Sequence, residues 1–560
     1  MTLDRPWRRP GALAYARARV RSILRPPVTV TAPSRAMIKE TDVPVEMRDG
    51  IRLRVNVYKP RGGGPFPVLV CAHPYGKDAS LPRRTRRGWR PNPQYRIMRQ
   101  PVPVSFSAET GWEGPDPSWW TEQGYVVVNA DLRGAGHSEG AGSLMSRQEG
   151  EDVYDLVEWA GAQPWSTGRV GMIGVSYLAM SQYRAAAMHA PALKAICPWE
   201  GFTDAYRDFF TPGGVVERGF SRVWETVMRH TDRLADDLAA ERRRHPLRDA
   251  WWEARVPEIA EIEVPMLVCT SFSDGNLHSR GSFRAFERAA SVERTAWTHR
   301  GGKWATFYSD EARAVQRAFF DRHLTDADVP APPRVRLEVR ESADVVAETR
   351  DEHEWPLART EWTPLHLGDA GSLTAAAAAA AGSARFRTRR EGLSFAHVLD
   401  ADTELTGPMA LDLWVSTDTG GDVSLFVGVE KWSAGRWVPF EGSYGYGRDR
   451  VALGWQRAAL RELDAAQSTP YAPVHTLRRE EPLGPGEIVP VRIALGPSST
   501  LFRAGDTLRL VIAGRPLAPR NPLTGHFPAW YAPSPRGVCT VHWGPDRAAR
   551  LIVPVIPRPS

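Results

Sequence analysis

The first half of the chain alternates short apolar runs with segments of helical spacing. The apolar runs are rich in β-branched residues and comprise Val68–Ala72, Tyr125–Ala130, Val170–Ile173, Leu193–Cys197 and Met266–Thr270. Between two of them, Val153, Leu156, Val157 and Ala160 follow the i, i+3, i+4, i+7 spacing of one helix face. This alternation predicts βαβ units, and therefore a mostly parallel sheet with helices on both faces.

The pattern changes twice further along the chain. Phe202–Pro257 is rich in charged residues and helix formers, and we interpret it as a helical cap inserted into the α/β domain. Thr325–Pro333 is polar and proline-rich, which indicates a linker. Beyond it lie strand-like segments separated by Gly, Pro and Asp turns, namely Val335–Val339, Met409–Val415, Val423–Val429, Val489–Leu495 and Thr507–Ile512. They predict an all-β sandwich or jelly roll, in which the low-complexity run Ala375–Ala381 is expected to be a surface connection.

These boundaries predict the following domain organisation. A basic N-terminal extension covers residues 1–35, and the α/β domain covers 36–201 and 258–328. The cap at 202–257 interrupts that domain, and the β-sandwich covers 334–560. A chain of 560 residues has room for two or three domains.

The composition is that of an ordinary globular protein. Hydrophobic residues make up 42% and charged residues 24%, and the formal net charge is +7. The basic residues are dispersed and no nucleic-acid-binding signature accompanies them, so we expect no nucleic-acid partner. The arginine-rich N-terminus has no continuous apolar segment, and no run of about 18 apolar residues occurs elsewhere. We therefore expect a cytoplasmic protein without a membrane span, in which Ala12–Leu24 is either a basic amphipathic helix or, as we favour, a flexible or packed extension.

The cysteines do not form a metal-binding pattern. Cys71, Cys197, Cys269 and Cys539 include no CxxC pair, and the first three lie in apolar runs that predict buried strands. We expect reduced, buried thiols, no metal site and no cofactor.

The strongest chemical signal is Gly174-Val175-Ser176-Tyr177-Leu178. It follows one predicted strand and precedes a helical run from Leu178 to about Ala190. This is the context of a nucleophile elbow, in which a sharp strand-to-helix turn lifts a serine hydroxyl above the sheet. The common form of this motif, G-x-S-x-G, has glycine where Leu178 stands here.

A serine nucleophile needs a base, and the base needs a carboxylate that orients it. In an α/β-hydrolase these partners follow in the order Ser, Asp, His, each just past the carboxyl end of a strand. Asp274 and His299 fit that order and placement, and we predict that they complete the triad with Ser176. His278 and His323 are alternative bases; His278 lies only four residues after Asp274, and His323 is expected at the end of a helix.

Several blocks together resemble the cocaine esterase-like (CocE/NonD) hydrolases, which are related to the X-Pro dipeptidyl-peptidases and the α-amino-acid ester hydrolases. The blocks are Met47–Gly50 with Tyr58–Pro60, His73–Lys77, Asp131–Gly134 with Ser138–Gly140, Gln163–Trp165, Gly174–Tyr177, Phe272–Asp274 and Trp297–His299. The resemblance covers roughly Ile38 to the C-terminus. It implies an α/β-hydrolase fold with a helical cap insertion and a C-terminal jelly-roll domain of the galactose-binding-like type.

The resemblance also implies an oxyanion hole. Its donors would be the Tyr75 hydroxyl and the backbone N–H of Tyr177, because the tetrahedral intermediate carries a negative oxygen. Ala179 stands where the family commonly has glycine, and the Phe272-Ser273 acid block differs from the aromatic-rich family type. We predict that Trp199 and Asn276 contact the substrate.

The expected function is hydrolysis of small-molecule carboxylic esters, and of amides less readily, through an acyl-enzyme. One alternative is an X-Pro dipeptidyl-peptidase or amino-acyl hydrolase, in which Glu200 and Asp204 would help to hold a substrate ammonium. A second alternative is a binding protein with an inert hydrolase domain, against which the intact set of Ser, Asp, His and Tyr argues. The sequence leaves the oligomeric state open, with a homodimer as one option.

Overall fold

The computed structural model describes residues 12–86, 88–98, 100–442, 448–518, 523 and 529–557. The first eleven residues of the predicted extension therefore fall outside the described part. Its helices are α1 (Ala12–Leu24), α2 (Gln94–Ile97), α3 (Pro117–Glu122), α4 (Arg147–Gly161), α5 (Tyr177–Ala187), α6 (Phe220–Thr231), α7 (Leu238–Arg244), α8 (Ala250–Glu253), α9 (Ser279–Arg288), α10 (Lys303–Phe307) and α11 (Asp310–Leu324). None of the helices in the described part of the chain has the length and hydropathy that a bilayer crossing requires.

The strands divide into two groups along the chain. The first group is β1 (Val28–Thr31), β2 (Met37–Glu46), β3 (Arg52–Pro60), β4 (Phe66–His73), β5 (Arg83–Thr85), β6 (Gly88–Arg90), β7 (Val104–Ser107), β8 (Val126–Asp131), β9 (Ser166–Val175), β10 (Leu193–Trp199), β11 (Met266–Ser271), β12 (Arg294–His299), β13 (Val335–Arg340) and β14 (Val346–Glu352). The second is β15 (Glu361–Gly368), β16 (Ser372–Thr374), β17 (Gly382–Arg387), β18 (Gly392–Val398), β19 (Thr403–Thr417), β20 (Ser424–Ser433), β21 (Arg436–Val438), β22 (Ala452–Arg457), β23 (Val489–Phe502), β24 (Thr507–Ala513), β25 (Val538–Trp543) and β26 (Arg550–Ile556).

Most of the first group forms the sheet that carries the candidate site, while β1 pairs with β7 and β5 with β6 in separate two-stranded sheets. Its strands pair in the order β2-β3-β8-β4-β9-β10-β11-β12, with parallel pairing from β8 onward. The central strands are buried on both faces, which is why they are continuous apolar runs in the sequence. Because parallel strands end at one edge, the residues that follow β4, β9, β10, β11 and β12 come together there.

The predicted cap forms the chain between β10 and β11. It contains a π-helical turn at Tyr206–Phe210 and the helices α6, α7 and α8. Phe209 packs on Phe220 and on Trp224 of α6, with ring centroids 5.6 and 5.7 Å apart. The cap therefore places an aromatic surface over the carboxyl edge of the sheet.

The second group of strands encloses a separate apolar core. Antiparallel pairs join β15 to β26, β26 to β19 and β19 to β23, while β18, β24, β20 and β22 pair in that order on the other side. Residues of both layers, among them Leu411, Val427 and Leu510, are fully buried between them. Ala375–Ala381 lies in the connection from β16 to β17, as expected. The α/β-hydrolase fold with helical insertions and a C-terminal β-rich domain confirms the predicted fold class.

One strand differs from its expected position. Val335–Val339, which we assigned to the β-sandwich, lies in β13 and pairs in parallel with β12 of the first sheet. The same strand bridges to β23 of the second group through Arg340 and Thr500. Its apolar alternation is typical of either sheet, so the sequence alone could not decide between them.

Candidate active site

Ser176 occupies a strained turn between β9 and α5. Its backbone has φ 60°, a left-handed conformation that non-glycine residues rarely adopt. The turn is held by its own amide, which donates to the carbonyl of Trp199 at 3.0 Å. Gly174 must lack a side chain, because a Cβ there would overlap the Cβ of Leu178. The strand and helix therefore pass closely and expose the hydroxyl of Ser176 above the sheet.

The two departures from the usual glycine pattern are accommodated by neighbours. Leu178 fits because Gly174 leaves room for it. The methyl group of Ala179 faces Gly201, where a Cβ would lie 2.8 Å from the Cβ of Ala179. Ala179 in the helix, where the family commonly has glycine, is thus accommodated because Gly201, just after β10, has no side chain.

His278 is the histidine in contact with Ser176. Its Nε2 lies 3.1 Å from Ser176 Oγ, and its Nδ1 lies 2.6 Å from Asp274 Oδ2. Asp274 follows β11, and its carbonyl accepts hydrogen bonds from the amides of Leu277, His278 and Ser279. This turn folds the chain back over the sheet edge and carries the imidazole to the serine.

The structure corrects the choice of His299 as the partner of Ser176. His299 is the last residue of β12, and its Nε2 lies 3.0 Å from Glu200 Oε1, while its Nδ1 accepts from the amide of Gly301 at 3.1 Å. The residue has not left the strand, so its ring cannot extend past the turn that His278 occupies. Asp274 keeps the expected position. The other alternative, His323, lies in α11, where it packs on Phe319.

Lys303 is a residue that the sequence analysis missed. It is the first residue of α10, and its Nζ lies 2.6 Å from Asp274 Oδ2, 2.9 Å from His278 Nδ1 and 3.8 Å from Glu200 Oε2. The sequence gives no signal that Lys303 belongs to the site, because it follows Gly301-Gly302 and is not part of a recognisable helical or strand pattern.

The electrostatics of this cluster favour a charged acid and a neutral base. Burial disfavours the Asp274 carboxylate, but Lys303 and His278 outweigh burial and lower the pKa of Asp274. Burial and then Lys303 lower the pKa of His278, against the attraction of Asp274. Burial also opposes the charge of Lys303, yet the surrounding carboxylates raise its pKa. His278 is therefore ready to accept a proton at neutral pH.

The predicted oxyanion donors lie beside Ser176. Tyr75 follows β4, borders the same cavity as Ser176, and packs edge-on against Tyr177 with ring centroids 6.2 Å apart. Burial and the nearby Glu113 raise the pKa of Tyr75 well above its ordinary value, and hydrogen bonds with Trp224 and Ser176 oppose that rise only in part. The Tyr177 hydroxyl donates to Glu149 Oε2 at 2.6 Å, which anchors the first residue of α5 and with it the backbone N–H.

A largely apolar cavity of about 230 Å³ opens from Ser176 toward the cap. Its lining residues are Tyr75, Gln94, Met98, Trp112, Glu113, Ser176, Tyr177, Met180, Phe202, Phe209, Phe220, Val223, Trp224, Val227, Leu277 and His278. Glu113 is the acidic member of this lining; burial raises its pKa to about 8. Its Oε2 has no hydrogen-bond partner among the described residues. The sequence analysis missed Glu113 because it stands in an irregular loop.

Trp199 and Asn276, which we predicted to contact the substrate, are outside this lining. Trp199 is fully buried and packs on Trp297 and Phe307, with ring centroids 5.1 and 5.5 Å apart. The carbonyl of Asn276 accepts from the Tyr531 hydroxyl at 3.2 Å, and the residue borders a different pocket together with Trp455. The structure thus does not bring either residue to the cavity at Ser176, and their contact with a substrate stays a prediction.

The carboxylates expected to hold an ammonium are engaged with protein groups. Glu200 contacts His299 and Lys303. Asp204 Oδ2 lies 3.2 Å from the Nε atoms of both Arg207 and Arg248. Glu200, His299 and Cys269 also have ligand atoms within 4.8 Å of one another, but the nearby Lys303 ammonium opposes a metal cation there. The prediction of a metal-free site stays a prediction.

Comparisons with known proteins agree with this architecture. The profile of the X-Pro dipeptidyl-peptidase (S15 family) matches residues 49–303, and that of the X-Pro dipeptidyl-peptidase C-terminal non-catalytic domain matches residues 327–552. The crystal structure of a CocE/NonD family hydrolase from Staphylococcus aureus has 36% sequence identity and a TM-score of 0.87, over 93% of this chain and 94% of that one.

Two further relatives are more distant. The cocaine esterase of Rhodococcus sp. is 29% identical over 395 residues, which is 59% of this chain and 62% of that protein. The match thus spans less than two thirds of that relative. An α-amino acid ester hydrolase has a TM-score of 0.70 at 17% identity, over 94% of this chain and 98% of that one, which shows a shared fold.

Proposed function

Because this chain belongs to the CocE/NonD family of serine hydrolases, we propose that it cleaves carboxylic esters through an acyl-enzyme on Ser176. The observation that carries the proposal is the continuous chain of contacts from Ser176 Oγ through His278 to Asp274, at 3.1 and 2.6 Å. That chain joins a nucleophile, a base and an acid that orients the base.

The proposed reaction has two halves. His278 Nε2 takes the proton of Ser176 Oγ as the oxygen attacks the ester carbonyl, and Asp274 stabilises the imidazolium. The negative carbonyl oxygen accepts from the backbone N–H of Tyr177 and the Tyr75 hydroxyl. When the intermediate collapses, His278 gives its proton to the leaving alcohol. Water then attacks the acyl-enzyme with His278 again as base, which releases the acid and restores Ser176.

The surroundings of Ser176 favour an uncharged substrate group. The cavity is lined chiefly by aromatic and aliphatic side chains, among them Phe209, Phe220 and Trp224 of the cap. Glu200 and Asp204 are paired with protein cations, so they do not supply a free cluster for an ammonium. We expect esters to be cleaved faster than the matching amides, because an alkoxide leaves with less help from protonated His278.

One observation favours a second candidate function, hydrolysis of amino-acyl esters or amides. Glu113 places a buried carboxyl group in the cavity near Ser176. A substrate ammonium would favour its ionised form and pair with it. Glu113→Gln should then raise KM for an amino-acyl ester and leave KM for the matched ester without the amino group unchanged.

The experiment that tests the proposed function combines a covalent probe with a substrate panel. A fluorophosphonate should label wild type and fail to label Ser176→Ala, and persistent labelling of that variant would place the nucleophile elsewhere. The panel compares p-nitrophenyl esters, amino-acid esters and X-Pro anilides. Faster turnover of an X-Pro anilide than of a simple ester would reverse the ranking of the two functions.

A further inference from the structure

Lys303 contacts both partners of the nucleophile at once. Its ammonium nitrogen lies 2.6 Å from Asp274 Oδ2 and 2.9 Å from His278 Nδ1, and the residue is buried. The other oxygen, Asp274 Oδ1, is buried and has no hydrogen-bond partner among the described residues. The negative charge of Asp274 is therefore stabilised at Oδ2, which both the Lys303 ammonium and the His278 imidazole contact.

A buried carboxylate in this position needs a cation. An isolated carboxylate in an apolar interior takes up a proton rather than stay charged. A protonated Asp274 would stabilise an imidazolium less, and the rate of proton transfer from Ser176 would fall. The Lys303 ammonium offsets that desolvation cost directly.

The same ammonium acts in the opposite sense on His278. A positive charge 2.9 Å from Nδ1 disfavours a second positive charge on the ring. Asp274 thus favours protonation of His278, and Lys303 opposes it. With Lys303 present, the imidazole stays neutral to a lower pH than it would beside Asp274 alone.

We propose that Lys303 is a positioning residue of this catalytic centre, which keeps Asp274 ionised and sets the pH at which His278 loses its proton. The inference rests on the proposed function, because it takes His278 as the base of Ser176. Other groups face the cluster as well. Glu200 follows β10, Glu113 precedes α3, and His299 ends β12; the attraction of Glu200 favours protonation of His278.

The test is the pH dependence of fluorophosphonate labelling at Ser176, which needs no knowledge of the substrate. The labelling rate of wild type should fall at low pH as His278 is protonated. In Lys303→Met the midpoint of that fall should move to higher pH by about one unit. Lys303→Arg should keep the wild-type midpoint, because it restores the charge.

A matched control separates this effect from loss of structure. Lys431 in β20 is also buried and paired, with Nζ 3.2 Å from Asp506 Oδ2, but it lies in the C-terminal β domain. Lys431→Met should lower the melting temperature without moving the midpoint. If Lys303→Met does not fold, Lys303→Gln gives the same measurement with a polar neutral side chain, and its midpoint should also move to higher pH.

The outcomes distinguish the inference from the proposed function. Absence of labelling in wild type would overturn the proposed function itself. A labelled wild type whose midpoint is the same in Lys303→Met would overturn the inference alone. A midpoint that moves equally in Lys303→Met and Lys303→Arg would also overturn it, because the charge would then play no part.

Discussion

Two acid–histidine pairs lie side by side at the carboxyl edge of the sheet, and they differ in how their histidines are carried. Asp274 and His278 belong to one turn after β11, and that turn folds over the edge of the sheet. Glu200 follows β10 and His299 ends β12, so the second pair spans the end of the strand between them. The four side chains are buried, and Lys303 lies between the two pairs.

The difference teaches that the contact between acid and histidine does not by itself identify a triad. The pairs have similar lengths, 2.6 Å for Asp274 with His278 and 3.0 Å for Glu200 with His299. What separates them is the backbone, since a ring on a turn extends over the sheet edge and a ring still in a strand does not. The reach of the loop therefore decides which pair meets Ser176.

The largest effect is expected when the histidines of the two pairs are replaced by alanine one at a time. His278→Ala should lower kcat for an ester by on the order of 10⁴-fold, because the members of a triad act as a unit. His299→Ala should lower kcat by less than about tenfold, since its ring does not contact Ser176. Steady-state kinetics with a melting curve on both variants checks this. A reversed ranking would restore His299 as the base.

Tyr75→Phe examines the part of the site that is common to both histidine assignments. The variant keeps the ring and removes the hydroxyl, so kcat should fall by roughly 10²–10³-fold with little change in KM. The melting temperature should barely move. An unchanged kcat would remove Tyr75 from the oxyanion hole, and a raised KM at constant kcat would make it a binding contact instead.

A smaller effect is expected from Glu200→Gln, which neutralises the acid of the second pair. The attraction of Glu200 favours protonation of His278, so its loss lowers the pKa of His278 further. Activity that requires neutral His278 should then persist to lower pH. We expect kcat at neutral pH to stay within about tenfold of wild type, because Glu200 does not contact Ser176. A midpoint that moves to higher pH would contradict the assignment of the two pairs.

The smallest effect is expected at Gly201, which joins the second pair to the helix that carries Ser176. Gly201→Ala would bring a methyl 2.8 Å from the Cβ of Ala179 and should destabilise the protein by about 1–3 kcal/mol. The double variant with Ala179→Gly should recover part of that loss, as measured by denaturant unfolding. Additive losses in the double variant would show that the two methyl groups do not compete for the same space.

Much of the fold could be predicted from the sequence, because its signals are local. The buried strands β4, β8, β9, β10 and β11 are apolar runs, and the elbow around Ser176 combines a strand, a glycine and a helix. Asp274 and Tyr75 lie where block order and strand ends placed them.

The remaining site residues depend on geometry that spacing does not encode. His278 follows the apolar strand β11 and His299 ends the apolar strand β12, both after Ser176 and Asp274 in the chain, and only the course of the turn after Asp274 decides which of them reaches Ser176. Lys303 and Glu113 lie in irregular segments and become part of the site through long-range packing. The side-chain directions of Trp199 and Asn276 were likewise set by neighbours distant in sequence.

The pairing of β13 with both sheets has a consequence for dissection of this chain. A fragment that ends before Val335 would leave β12 as a bare edge strand, with the unpaired amides that promote aggregation. It would also strip Arg300, next to His299, of its contacts to Glu338 and to the carbonyls of Arg450 and Val451. The C-terminal segment, whose family profile is described as non-catalytic, thus completes the edge of the hydrolase sheet. The α/β domain and the C-terminal β domain should therefore melt as a single cooperative unit.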